Sequence, residues 1–180
     1  MNSKIQLANY GTQLWTRAKA REIKSYVDNE LEKLQIGGTL IIDIKDVEVF
    51  DYSFANELFG KSQLNIATEY PGRFIVLENL NSHTRENLVK GLEELNLMAI
   101  ERKAGKLVLI GKIHPADQAT FDAIVQTKEP ITSAQLKEVL KVNVNAMNER
   151  LNKLTSLGVI RREKTISAAG REQFVYSSPI

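Results

Sequence analysis

Apolar positions along this chain recur with two periods, and the alternation between them predicts a series of strands and helices. Lys4 to Asn9 alternates as a short strand, and Leu14 to Leu34 carries Ala18, Ile23, Val27, Leu31 and Leu34 in helical register, closed by Gly37-Gly38. Thr39 to Ile44 (TLIIDI) reads as a buried strand, Ser53 to Tyr70 as a helix, Arg73 to Leu77 (RFIVL) as a strand and Ser82 to Leu95 as a helix. Leu97 to Arg102 and Lys106 to Ile113 then predict a hairpin across Ala104-Gly105, where glycine is free to take positive φ. The order βαβαβαββ implies a mixed sheet with parallel pairs and helices packed on it. His114-Pro115-Ala116 closes the last strand, so the chain divides into an α/β domain, residues 1–115, and a smaller α+β domain, residues 116–180. The first is expected to form a core of its own.

In the smaller domain a helix from Asp117 to Thr127 precedes PITSAQLKEVL, in which Thr132 or Ser133 caps a helix carrying Leu136, Val139 and Leu140. Asn143 caps the next helix, on which Val144, Met147, Leu151 and Leu154 form a stripe at steps of three and four. Its other face is polar, with Asn145, Asn148, Glu149 and Asn152, and Lys153 beside them. Asparagine pairs bidentately with adenine in the major groove, whereas glutamate accepts from cytosine or repels phosphate. Gly158 stops the helix, Val159-Ile160 open a strand, and Arg161, Arg162 and Lys164 lead to a turn at Ala168-Ala169-Gly170, with Arg171 on the return.

Leu151, Leu154, Leu157, Gly158, Val159, Ile160 and Arg162 resemble the L-x-x-L-x-x-L-G-(V/L)-I-x-R pattern of winged-helix transcription regulators. The resemblance covers about the last third of the chain and implies double-stranded DNA as partner, with Asn143, Asn145, Asn148, Glu149, Asn152, Lys153, Arg161, Arg162, Lys164 and Arg171 as contact candidates. Two further blocks, LWTRAKAREI (Leu14 to Ile23) and DIKDVEVFDYSFANELFG (Asp43 to Gly60), resemble STAS domains, and more closely a bacterial STAS-like family of unassigned role. Members of that family read S-F-A-D-E-L-F-G where this chain has Asn56 for the aspartate. In the antagonist branch of STAS domains a serine at the start of the equivalent helix is phosphorylated by a partner kinase. Ser53 matches it by position, with Asp51, Asn56 and Glu57 around it. The residues themselves support a plainer role for Ser53 as a helix N-cap, and Asp51 and Glu57 would oppose a phosphate there.

Composition narrows the chemistry. Forty-three per cent of the 180 residues are apolar and 26% charged, as in globular domains, and no cysteine occurs, which excludes disulfides and thiolate chemistry and favours a cytoplasmic setting. No segment has the apolar run of a signal peptide or membrane span. The formal net charge is +2; residues 1–115 hold fifteen basic and fifteen acidic side chains and the remainder nine and seven, so the excess is C-terminal. A balance so slight asks for local clustering, and for a homodimer to double the phosphate contacts. Two histidines, His83 and His114, and no phosphate loop leave little support for catalysis. Asp43, Asp46 and Asp51 could hold magnesium, although turn and cap roles are commoner for such residues. The expected protein is a cytoplasmic, non-enzymatic regulator without a cofactor, in which a STAS-like sensor controls a DNA-binding winged helix. The alternative is an adaptor that docks a kinase or ATPase and touches no DNA.

Overall fold

The computed structural model describes residues 2–180. Strand β1 (Asn2–Gln6), a 3-10 turn (Leu7–Tyr10) and the two-residue β2 (Gln13–Leu14) precede helix α1 (Arg17–Lys33). Thr16 caps α1 by accepting from the Lys19 amide, and the helix buries Ala20, Ile23, Val27 and Leu31, one residue per turn. Ala18, expected on that stripe, is exposed instead. There follow β3 (Thr39–Asp43), β4 (Val49–Phe50), the short α2 (Tyr52–Ala55), a π-helical turn (Asn56–Gly60), α3 (Lys61–Glu69), β5 (Phe74–Glu78), α4 (Ser82–Glu94), β6 (Met98–Lys103) and β7 (Lys106–Gly111). Ala104 and Gly105, at φ 49° and 76°, form the two-residue connection between β6 and β7, with the positive angles that suit the twist of paired strands.

The main sheet runs β1-β3-β5-β6-β7, parallel apart from the antiparallel β6–β7 pair. Strands laid side by side in chain order, through crossovers of one hand, put every crossover helix on the same face. Alternate side chains record this. Ile5, Leu40, Ile42, Ile75, Leu77, Ala99 and Ile110 pack with α1, α3 and α4 in one core. Val76, Met98, Ile100 and Leu109 point to the opposite face, which those helices leave bare, and each would gain roughly 1.5–3 kcal/mol from a cover.

The C-terminal segment supplies that cover: α5 (Pro115–Gln126), β8 (Ile131–Thr132), α6 (Ser133–Leu140), α7 (Val144–Ser156) and the hairpin β9 (Arg161–Ile166) and β10 (Glu172–Ser177), with strand order β8-β10-β9. Phe121, Ile124, Leu136, Met147, Leu151, Leu154 and Tyr176 form one core with the four sheet residues. Residues 1–115 therefore have a core on one face only, and the second face is completed by residues 116–180. Polar contacts tie the two segments as well: Gln63 Nε2 donates to the Leu157 carbonyl at 2.5 Å and Thr39 Oγ1 to that of Pro179 at 2.8 Å. Gly158 sits at φ 65° with a would-be Cβ 2.6 Å from Cγ2 of Ile66, so α7 ends directly against α3. Two expected stripe residues lie outside this core, Val139 and Val144 being 63% and 53% exposed.

Candidate nucleic-acid interface and switch region

Local chemistry sets the ends of the two helices that would meet DNA. Thr132 caps α6 by accepting from the Gln135 amide, Gln135 returns the favour to the Thr132 amide, and Asn143 Oδ1 accepts from the Ala146 amide at the start of α7. Lys141, in the left-handed conformation at φ 53°, makes the turn between them. Asn145, Asn148, Glu149 and Asn152 all lie exposed along α7. Asn148 is engaged by Ser133, whose hydroxyl donates to its Oδ1 at 2.9 Å, which leaves the amide hydrogens free. Lys153 is drawn away to the buried carboxylate of Asp117 at 2.5 Å and braces α7 against α5.

The hairpin separates its cations by face. Paired residues on neighbouring strands share a face, so Arg162, Lys164 and Ile166 lie with Tyr176, Phe174 and Glu172. Tyr176 is buried in the core that holds α5 and α6, the helices β10 packs against, so this is the face turned toward them. On it Arg162 stacks over the Phe174 ring at 4.7 Å and Lys164 pairs with Glu172 at 2.7 Å. Arg161 belongs to the other face. Its guanidinium donates to the carbonyls of Gly37 at 2.7 Å and Pro179 at 3.1 Å and lies over Phe74, so it joins the two segments and is not presented beside Arg162. Arg171 is exposed near the hairpin tip, where its amide donates to Ser167.

Around Ser53 the cap differs from the expectation. Asp51 is the N-cap of α2, accepting from the Phe54 amide at 2.7 Å, and the Ser53 hydroxyl donates to the same Oδ1 at 3.0 Å. The shift of two residues comes from β4, whose parallel pairing with β2 extends to the Asp51 amide donating to the Leu14 carbonyl. The helix continues through the π turn, a feature often found at functional sites. Gly91 of α4 approaches so closely that a Cβ there would lie 3.1 Å from the Asn56 amide nitrogen. Glu57 is 3% exposed yet held by Arg21 Nε and Lys61 Nζ, each at 2.8 Å. Burial pushes its carboxyl up, but the hydrogen bonds from Lys61 and Arg21 prevail and hold it below the usual range.

One constellation has no counterpart in the sequence reading. The parallel register puts Gln6, Asp43, Glu78 and Arg102 in a single row across β1, β3, β5 and β6. Lys4 bridges Asp43 at 2.8 Å and Glu78 at 3.2 Å, and Arg102 reaches Glu78 at 2.5 Å. Burial pushes the Asp43 carboxyl up, but hydrogen bonds from Asn79, Lys4, the Lys45 amide and Gln6 outweigh it and hold its pKa at about 2. The clue in the sequence was a polar residue at the end of each strand, TLIID and FIVLE among them. The magnesium cluster is not assembled: Asp43 is spent on this row and Asp51 on its cap, and among the described residues no group of three or more His, Cys, Asp or Glu is placed to hold a metal ion. No helix of the described residues is long and apolar enough to cross a membrane.

No family model matches the chain, and no curated protein matches it.

Proposed function

We propose that the chain is a transcription regulator in which the C-terminal segment is a winged helix that binds duplex DNA and the N-terminal part is a STAS-like docking and sensing unit. The observation that carries this reading is the nearness of α7 to the hairpin, since Asn152 and Arg162 line one cleft. Asn145, Asn148 and Asn152 are exposed on the helix and supply donors for base edges, and Arg162 and Lys164 are exposed on one face of the hairpin and supply cations for phosphates. The order α5-β8-α6-α7-β9-β10 supports it, since a second helix after a short turn, followed by a basic hairpin, is how such proteins enter a major groove and grip its flank. Glu149 then reads or rejects a base instead of adding affinity. Because the segment shares its core with the sheet, the DNA-binding surface and the STAS-like part act as one body.

Gel-shift titration over a range of salt tests this. Arg162→Ala with Lys164→Ala should weaken binding to all sequences and lower the salt slope by roughly two. Asn145→Ala should cost about 1–3 kcal/mol on a selected site and little on random DNA. Absence of salt-dependent retention of any duplex at low ionic strength would refute the reading.

A second reading, a docking protein switched at Ser53 by a kinase, is favoured by the pairing of Glu57. With that carboxylate neutralised by Arg21 and Lys61, the repulsion expected one turn from Ser53 is reduced, and Arg21 remains 64% exposed on that side.

A further inference from the structure

The two edges of the main sheet are guarded differently. An edge strand leaves a row of backbone N–H and C=O groups open, and a free lysine on it keeps other strands away. The β7 edge has two lysines, Lys106 at its start and Lys112 just past its end, both exposed and neither in an ion pair among the described residues. The β1 edge pairs with β3 alone, and its one lysine is turned back across the sheet: Lys4 reaches Asp43 at 2.8 Å and Glu78 at 3.2 Å. Gln6 donates to Asp43 at 3.1 Å and Ser3 to Glu30 of α1 at 2.6 Å, so these side chains also lean away from the open edge. Beside β1 runs a groove of about 540 Å³, lined by Ile5, Tyr10, Tyr26 and Lys33 among others. The two tyrosine rings lie 5.4 Å apart, Tyr26 is 49% exposed on α1, and Lys33 is neutralised by Glu30 at 2.7 Å. The strip therefore carries no uncompensated charge. A surface that meets its own copy across a two-fold axis needs that balance, because each of its charges is brought up to the same patch again.

We infer that the β1 edge is a docking surface for a second copy of this chain, with the two β1 strands paired antiparallel so that both five-stranded sheets join into one. The two-fold axis then stands normal to the sheet and keeps each face with its like. Both α1 helices flank the axis on one side, where Tyr10 and Tyr26 meet the partner's groove, and both C-terminal segments lie on the other side. Opposed residues must share a face, which limits the register. Centring the pair on Lys4 sets like charges opposite, whereas centring it on Ile5 sets apolar against apolar and Lys4 against the partner's Gln6. On the proposed DNA-binding reading the consequence is direct. Two winged helices on one side of a continuous sheet meet the same duplex, which doubles the phosphate contacts of a chain whose net charge is only +2. The pairing itself does not depend on that reading.

Sedimentation equilibrium of the full chain without DNA tests the pairing apart from duplex binding. At submillimolar concentration the mass should approach twice the 20.3 kDa of one chain. Tyr26→Lys changes an exposed position and puts an added cation beside the axis, so it should raise the dissociation constant about tenfold or more. Amide exchange in β1 should slow as the wild-type concentration rises, while that in β7 stays the same. The chain has no cysteine, so an introduced one reports only contact between copies. Ile5→Cys should cross-link to its copy under mild oxidation, since opposed antiparallel residues bring their Cα atoms within about 4.5–5.5 Å, inside disulfide reach. Val108→Cys, on the guarded edge, should not. If the first cysteine variant does not fold, the exchange data in the wild type decide. A monomer at submillimolar concentration would leave the edge to a foreign chain and overturn the proposal. So would a dimer that Tyr26→Lys leaves intact, β1 amides indifferent to concentration, or cross-linking as ready at Val108→Cys as at Ile5→Cys.

Discussion

Replacing Phe121 by alanine should destabilise the sheet of the first 115 residues, although Phe121 lies outside them. Its side chain is fully buried on α5 in the cluster that includes Val76, Met98, Ile100 and Leu109. Truncating a buried phenylalanine costs about 3–5 kcal/mol, through lost transfer energy and the cavity left behind. With a urea slope of about 2 kcal/mol/M for a chain of this size, the midpoint should fall by roughly 1.5–2.5 M. The single tryptophan, Trp15, lies between β2 and α1, so its fluorescence reports on the N-terminal part, and amide exchange in β3 gives a second probe of the sheet. Far-UV circular dichroism reports on all the helices, α5 to α7 included. A shared core requires these probes to move together in one transition, at a midpoint lowered equally for each. If Trp15 and the β3 amides unfold at the wild-type midpoint while part of the helical signal is lost earlier, the two segments are independent and the reasoning fails. By the same logic a fragment ending at His114 exposes four large apolar side chains of the sheet and should bind a hydrophobic dye that the full chain does not.

Three further outcomes follow from single sites. Asp43 has a folded pKa of about 2 against an ordinary 3.8, so its contribution, roughly 2 kcal/mol, is present above pH 4 and is lost as pH falls from 4 toward 2; Asp43→Asn should flatten that acid limb of the stability curve, and an unchanged limb would refute the assignment. Gly158→Ala combines a positive φ with a Cβ 2.6 Å from Ile66 and should cost more than the roughly 1 kcal/mol of backbone strain alone, as measured by urea midpoint; a neutral effect would show that α3 and α7 are not in contact. Ser53→Ala removes a donor to Asp51 but not the cap, so it should cost less than Asp51→Ala, which loses about 1 kcal/mol; the reverse order in thermal melts would restore Ser53 as the cap.

What the sequence determined by itself is what short-range chemistry controls. Period-two and period-3.6 patterns place β3, β5, β6, β7 and the helices packed on them, because burial of one face demands those periods, whereas β1 runs Asn2–Gln6 and the rest of the strand expected over Lys4 to Asn9 is a 3-10 turn. Asn143 and one of the two offered caps at Thr132 act as expected, since a cap needs only a side-chain oxygen three residues before an orphan amide. Ala104-Gly105 makes its turn for an equally local reason. The tertiary structure decided the rest. Asp51 rather than Ser53 caps α2 because β2, nearly forty residues earlier, pairs with β4 and fixes where the strand ends. Arg161 and Arg162 are neighbours in sequence with the same charge, yet a strand sends them to opposite faces, and only the register of β9 with β10 says which one shares a face with the buried Tyr176. The row Gln6, Asp43, Glu78 and Arg102 exists through parallel register alone. Whether the second face of the sheet belongs to one domain or two is likewise a question of long-range packing. A sheet whose helices all lie on one side leaves apolar residues uncovered, and here the remainder of the same chain covers them.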